Sequence, residues 1–139
     1  MKKITRRRFV HQTAKTAIGA ALVAATITNN TKAMSSNKNP FIHHVYFWLN
    51  KADSKEDLAK LVEGLKKLSA VKTIKVSYIG KPADTNREVI DSSYNISWLC
   101  FFDSKADQDS YQVDPIHLDF VKQCQHLWKK VIVYDTVGI

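Results

Sequence analysis

Two side chains in this sequence stand where proton transfer could be done, His117 and Tyr111. An imidazole drawn out of water keeps its neutral form near neutral pH, where it can accept a proton from a phenol or an activated methylene. Tyr111 would then orient that proton or hold an enolate oxygen. Each has a plainer use, His117 as a hydrogen-bonded core imidazole and Tyr111 as an aromatic closing the core beside a helix start. Cys124 shares the helix of His117, but nothing basic flanks it, and it reads as small core packing rather than as a nucleophile.

Metal chemistry is poorly served. His117 and His126 fall on opposite sides of a helix, and His43 and His44 cannot both face one ion from a regular strand. Neither Cys-x-x-Cys nor His-Glu-x-x-His occurs. The one arrangement left open joins His43 and His117 to a carboxylate, with Asp114 as the third ligand. The 4 glycines are scattered singly and form no phosphate-cradling loop. No metal and no cofactor is expected.

The elements that must position these groups are legible from capping and periodicity. Asp114-Pro115 is an N-cap followed by proline at the first helical position, and the helix is expected to run to about Lys129. At ~100° per residue, His117 falls in the middle of a stripe with Phe120, Val121, Cys124, Leu127 and Trp128. A polar helical turn through Asp109 precedes it. Asp53 to Asp57 supplies a cap and an acidic first turn for an earlier helix carrying Leu58, Leu61, Val62, Leu65 and Leu68. Strands are expected at Phe41 to Leu49, at Ile74 to Tyr78 with Ile74, Val76 and Tyr78 inward, at Tyr94 to Phe102, and at Val131 to Asp135. The connection Lys81 to Ser93 is long for a compact domain, and its Arg87 reads as a solvated charge.

The order is strand, helix, strand, strand, helix, strand, an α+β domain. Its first strand is greasy on both sides: Phe41, His43, Val45, Phe47 and Leu49 oppose Ile42, His44, Tyr46 and Trp48. Two helices cover one face of a sheet. The second face predicts a homodimer with sheets facing each other.

Composition narrows the partners. The chain has 139 residues with 21 Lys plus Arg against 13 Asp plus Glu. Seven of the basic residues and none of the acidic ones precede Met34, so the rest carries 14 minus 13, or +1, and offers no nucleic-acid footprint. Met1 to Val10 is basic, Ala17 to Thr28 is uncharged, Ala-rich and too short to span a bilayer, and Thr31-x-Ala33 offers a cleavage site. Thr5-Arg6-Arg7-x-Phe9 resembles a twin-arginine export signal, against the plainer readings of an ordinary secretory signal or an uncleaved anchor. Residues 1–33 are thus expected to be a signal peptide, 34–40 a linker and 41–136 the domain, exported to the periplasm or beyond and free of the membrane after cleavage. That route carries folded proteins, which leaves a Cys100–Cys124 disulfide open without requiring it.

The segments Phe41-Ile42-His43-His44-Val45-Tyr46-Phe47-Trp48-Leu49 and Tyr111-Gln112-Val113-Asp114-Pro115-Ile116-His117-Leu118-Asp119-Phe120-Val121 are similar to the two signature stretches of the stress-responsive α/β-barrel (Dabb) family. The Gly80-Lys81-Pro82 loop and the closing Val131 to Asp135 strand extend the resemblance. It implies a ferredoxin-like βαββαβ protomer with an antiparallel four-stranded sheet that dimerises into a barrel. One enzymatic branch, olivetolic acid cyclase, a plant polyketide cyclase, is similar at pocket positions, and this implies pocket roles for His43, Tyr111 and His117. His44 makes the first correspondence ambiguous by one residue; parity with Val45 and Phe47 favours His43.

The reading that results is an exported dimer that binds a small apolar or aromatic molecule between sheet and helices. Trp48, Trp98, Phe120 and Trp128 would form its walls, and His43, Tyr111 and His117 its polar handles. Acid–base cyclase or isomerase chemistry is the alternative, and a stress-associated dimer with a filled core the third.

Overall fold

The computed structural model describes residues 39–139. The expected signal segment and all of the linker before Asn39 lie outside the described residues. The elements are β1 (Phe41–Leu49), α1 (Lys55–Leu68), β2 (Val76–Gly80), β3 (Ile96–Phe102), α2 (Lys105–Gln112), α3 (Pro115–Cys124), a 3-10 turn (Gln125–Leu127) and β4 (Trp128–Thr136). The sheet order is β2-β3-β1-β4 with every neighbouring pair antiparallel. This is the ferredoxin-like α+β arrangement, with its second helical segment broken into α2 and α3.

Local chemistry accounts for the boundaries. Ser54 caps α1 by accepting the Asp57 N–H at 3.1 Å, and Glu56 and Asp57 place negative charge at the positive helix end. Ser104 caps α2 in the same way through the Asp107 N–H. The break between α2 and α3 follows from Pro115, which disfavours helical backbone in the residue before it; Asp114 is extended and its Oδ1 accepts the Ile116 N–H at 2.8 Å.

Leu61, Leu65 and Leu68 of α1 are fully buried, each stabilising the fold by about 1.5–3 kcal/mol relative to exposure. They pack in one core with Phe41, Val45, Phe47 and Leu49 of β1 and with Ile96, Trp98, Cys100 and Phe102 of β3. Gly64 lets α1 and α3 approach, since a Cβ there would lie 2.7 Å from Cys124 Sγ and 3.1 Å from the Phe120 ring.

Four expected elements are corrected. The last helix does not reach Lys129: it ends at Cys124, and β4 starts at Trp128 rather than Val131. Asn50 stops it, its backbone N–H donating to Leu127 O at 2.9 Å and its Nδ2 to His126 O at 2.7 Å. β3 starts at Ile96, not Tyr94, because the Asn95 side chain takes the Leu49 N–H at 2.8 Å where a strand partner would otherwise sit. Tyr78 is 66% exposed rather than inward. Ile74 is held in a turn by its N–H to Val71 O and does not share strand parity with Val76 and Tyr78, which pair with Phe101 and Leu99 on the outer face.

The first strand alternates as its sequence does: Phe41, His43, Val45, Phe47 and Leu49 are buried, and the residues between them are half-buried. The helices leave the inner face of β4 partly open. Val131 and Val133, opposite Phe47 and Val45, are 42% and 44% exposed.

Candidate functional site

Beneath that uncovered part of β4 lies a cavity of about 160 Å³ between the sheet and α3. Val45, Phe47, Val131 and Val133 form its sheet side, Phe120 and Val121 its helix side, and Trp98 and Trp128 close it. His43, Tyr111 and His117 also line it. Three separate elements supply them: β1 sends His43 inward by parity, the last turn of α2 carries Tyr111, and the first turn of α3 carries His117. The Tyr111 ring is centred 4.5 Å from that of His117 and 5.8 Å from that of His43.

Both imidazoles are oriented by acceptors. His43 Nδ1 lies 2.6 Å from Asp135 Oδ1, and His117 Nδ1 lies 3.0 Å from the carbonyl of Gln112. A carboxylate and a carbonyl accept, so each Nδ1 carries a proton, and the lone pair of His117, when the ring is neutral, is on Nε2. His117 is half-buried at the cavity wall, not in the middle of the core as the helical stripe implied, because the helix layer stops short of β4. Desolvation lowers its pKa from the usual 6.5, with His43 adding to the effect and the Gln112 carbonyl and Asp114 opposing it. Tyr111 is buried, and that burial raises its pKa far above the usual 10, so it is a hydroxyl and not a phenolate.

His44 faces the other side of the sheet, where it accepts from the Tyr46 hydroxyl or donates to it across 3.1 Å. Trp98, Phe120 and Trp128 fall on the cavity as walls, with Phe120 and Trp128 stacked at 5.8 Å between centroids. Trp48 does not. It has the parity of His44 and Tyr46, so it lies on the outer face, in a more polar hollow of about 290 Å³ with Tyr46, Tyr94, Tyr134 and Lys130. There the Lys130 ammonium lies 4.2 Å over its ring.

Asp114 is occupied as a helix cap and does not join the histidines. Among the described residues no group of three His, Cys, Asp or Glu is placed to hold a metal ion. Cys100 and Cys124 are free and buried, and desolvation raises the pKa of both thiols. Among the described residues no helix is long and apolar enough to cross a membrane.

Sequence reasoning missed Asp135 and the Val131–Val133 mouth. Asp135 shares the parity of those two valines in the closing strand, so alternation placed it on the inner face; only the register of β4 against β1, which sets Asp135 opposite His43, reveals the partnership.

The model of the family described as Stress responsive A/B Barrel Domain (Dabb) matches residues 41–137, and the chain belongs to that family. Among curated proteins none matches it in sequence. Among solved structures it is similar to a Dabb family protein with a ferredoxin-like fold from Mesorhizobium loti, at 22% identity and a TM-score of 0.62 over 73% of this chain and 98% of that one. It is also similar to a dimeric ferredoxin-like protein of unknown function from Thermobifida fusca, at 15% identity and 0.60 over 72% and 92%. A hydroxynitrile lyase from Passiflora edulis matches at 18% identity and 0.60 over 72% and 94%. At these identities the likeness is one of fold.

Proposed function

We propose that this Dabb-family protein binds a small apolar or aromatic molecule in the cavity between β1, β4 and α3, as a homodimer acting outside the cytoplasm. The observation that carries the reading is the cavity itself: valine and aromatic walls, with His43, Tyr111 and His117 gathered among them. The dimer is supported by the aromatic outer face of the sheet, where Tyr46 lies 4.8 Å from Tyr94 and 5.9 Å from Tyr134 between ring centroids, and by the Thermobifida fusca neighbour, which is described as dimeric. Export rests on the basic opening with its Arg6-Arg7 pair and the short uncharged stretch after it.

A second reading, acid–base catalysis, is favoured by the two Nδ1-tethered imidazoles. His117 Nε2 would take a proton from an activated methylene or phenol and become imidazolium, the Tyr111 hydroxyl would donate to the oxygen that gains charge, and the imidazolium would return the proton to the product. The resemblance to olivetolic acid cyclase at His43, Tyr111 and His117 agrees with this chemistry.

The test is a screen of small aromatic compounds by melting shift, followed by turnover of any ligand with an acidic proton. Binding that survives in His117→Ala while turnover disappears, with the fold retained, supports catalysis. Binding without turnover in the native protein supports a carrier. No ligand at millimolar concentration means a filled core and overturns both.

A further inference from the structure

Resting on the homodimer reading, we infer that the second copy seats across one row of the outer sheet face, made of Tyr78, Leu99, His44 and Tyr134, and that it does so only while His44 is neutral, so that the dimer comes apart in mild acid. The row follows from the strand register. His44 lies opposite Leu99 of β3 and Tyr134 of β4, and Leu99 lies opposite Tyr78 of β2. With strands about 4.8 Å apart, the row crosses the sheet in about 14 Å. Its two ends are exposed aromatic side chains, Tyr78 at 66% and Tyr134 at 59%. A partner that buries both must also close over the imidazole between them.

With His44 neutral the row carries no charge, so it can meet its own image without repulsion. The neighbours of His44 on this face, Ile42 and Tyr46 along β1 and Leu99 and Tyr134 across the ladder, include no carboxylate. Its polar contact is the Tyr46 hydroxyl, 3.1 Å from Nδ1, and Tyr94 packs on Tyr46 in turn. The charged groups nearby are engaged elsewhere. Lys130 stands over Trp48 and would repel a cation, Asp91 accepts the Ser93 N–H at 2.8 Å, and Asp103 at the end of β3 pairs with Lys75 at 3.0 Å. Behind the sheet, Asp135 is taken by His43. A proton on His44 therefore puts one positive charge per copy into an apolar contact with no carboxylate to meet it. Desolvation already lowers the His44 pKa in the single copy, with His43 adding to it, and cover by a partner removes more water and lowers it further. Single copies then bind more protons than the dimer, so association is complete above the single-copy value and weakens as pH falls through the window between the two.

Sedimentation equilibrium of the protein at constant ionic strength should show the dimer dissociation constant rising about tenfold from pH 7.5 to 5.5, read where the far-UV dichroism matches that at pH 7.5. In His44→Gln, which keeps a hydrogen-bonding partner for Tyr46 but does not titrate, the change should stay within about twofold. Proton resonances of the native protein give the same answer without a variant: the His44 titration midpoint should be lower in concentrated, dimeric solution than in dilute solution. A native dimer equally tight at both pH values, an equal weakening in His44→Gln, or a midpoint independent of concentration overturns the His44 inference and leaves the homodimer standing. A single-copy mass at pH 7.5 overturns the homodimer and the inference together.

Discussion

His43 and Asp135 face each other across the β1–β4 ladder, and their side chains close the register with a 2.6 Å contact between Nδ1 and Oδ1. The imidazole is buried while the carboxylate is 41% exposed, so the pair joins the cavity to solvent at the sheet edge. The contact orients the His43 ring and keeps a proton on its Nδ1.

Removing the carboxylate should therefore loosen the imidazole. Asp135→Ala is expected to lower stability by about 1 kcal/mol, a value held down by the exposure of Asp135, and Asp135→Asn to lower it less, because the amide oxygen still accepts from Nδ1. Urea unfolding of the three proteins measures the order. An Asp135→Ala midpoint equal to that of the native chain would show that the contact contributes nothing.

Stability should fall on the acid side. His117 has a folded pKa below the usual 6.5, chiefly from desolvation, and so does His44, where desolvation is joined by His43. Between the depressed folded value and 6.5 the unfolded chain binds more protons, so unfolding becomes easier as pH drops through that window and the effect levels off below it. Above 6.5 these groups add no pH dependence. Unfolding curves at pH 7.5 and at steps down to 5 should show the loss, and a double His44→Gln, His117→Gln variant should be flatter. An equally steep profile in that variant would assign the loss to other groups.

Gly64→Ala ought to reverse the usual helix rule. Alanine in place of glycine inside an exposed helix stabilises by about 1 kcal/mol. Here the new methyl would lie 2.7 Å from Cys124 Sγ and press on Phe120. The expected result is a loss of about 1 kcal/mol from overpacking, recovered when Cys124→Ala is added. A more stable single variant would mean that α1 and α3 separate freely.

Both thiols should be chemically silent in the folded protein. Cys100 is fully buried and Cys124 is 6% exposed, and desolvation holds each in its thiol form. Ellman's reagent should react with neither at pH 8 within minutes and with both after denaturation. Fast reaction at one equivalent would identify an opening of the α1–α3 contact.

The outer face of the sheet gives the dimer its test. Tyr46 sits among His44, Tyr94 and Tyr134, and placing a carboxylate there by Tyr46→Glu should convert a dimer to a monomer, read by sedimentation of the domain at micromolar concentration. A native chain that already sediments as a monomer would remove the need for the variant and the dimer alike.

What depends on neighbours along the chain can be read from residue order alone. Ser54 and Asp114 mark helix starts because capping involves residues two or three positions away, and β1 shows its inner and outer faces because strand parity is fixed by the backbone. His43 rather than His44 was legible for the same reason. Tertiary structure decided whatever depends on contacts between elements distant in the chain. The end of α3 was set by Asn50, which lies on the far side of β1, and no helical periodicity through Trp128 could register it. The opening at Val131 and Val133, the half-buried position of His117 and the pairing of His43 with Asp135 all depend on where the helices lie over the sheet and on the register of β4. Periodicity identifies a stripe that faces a layer; only packing determines how far that layer extends, and the cavity lies where it ends.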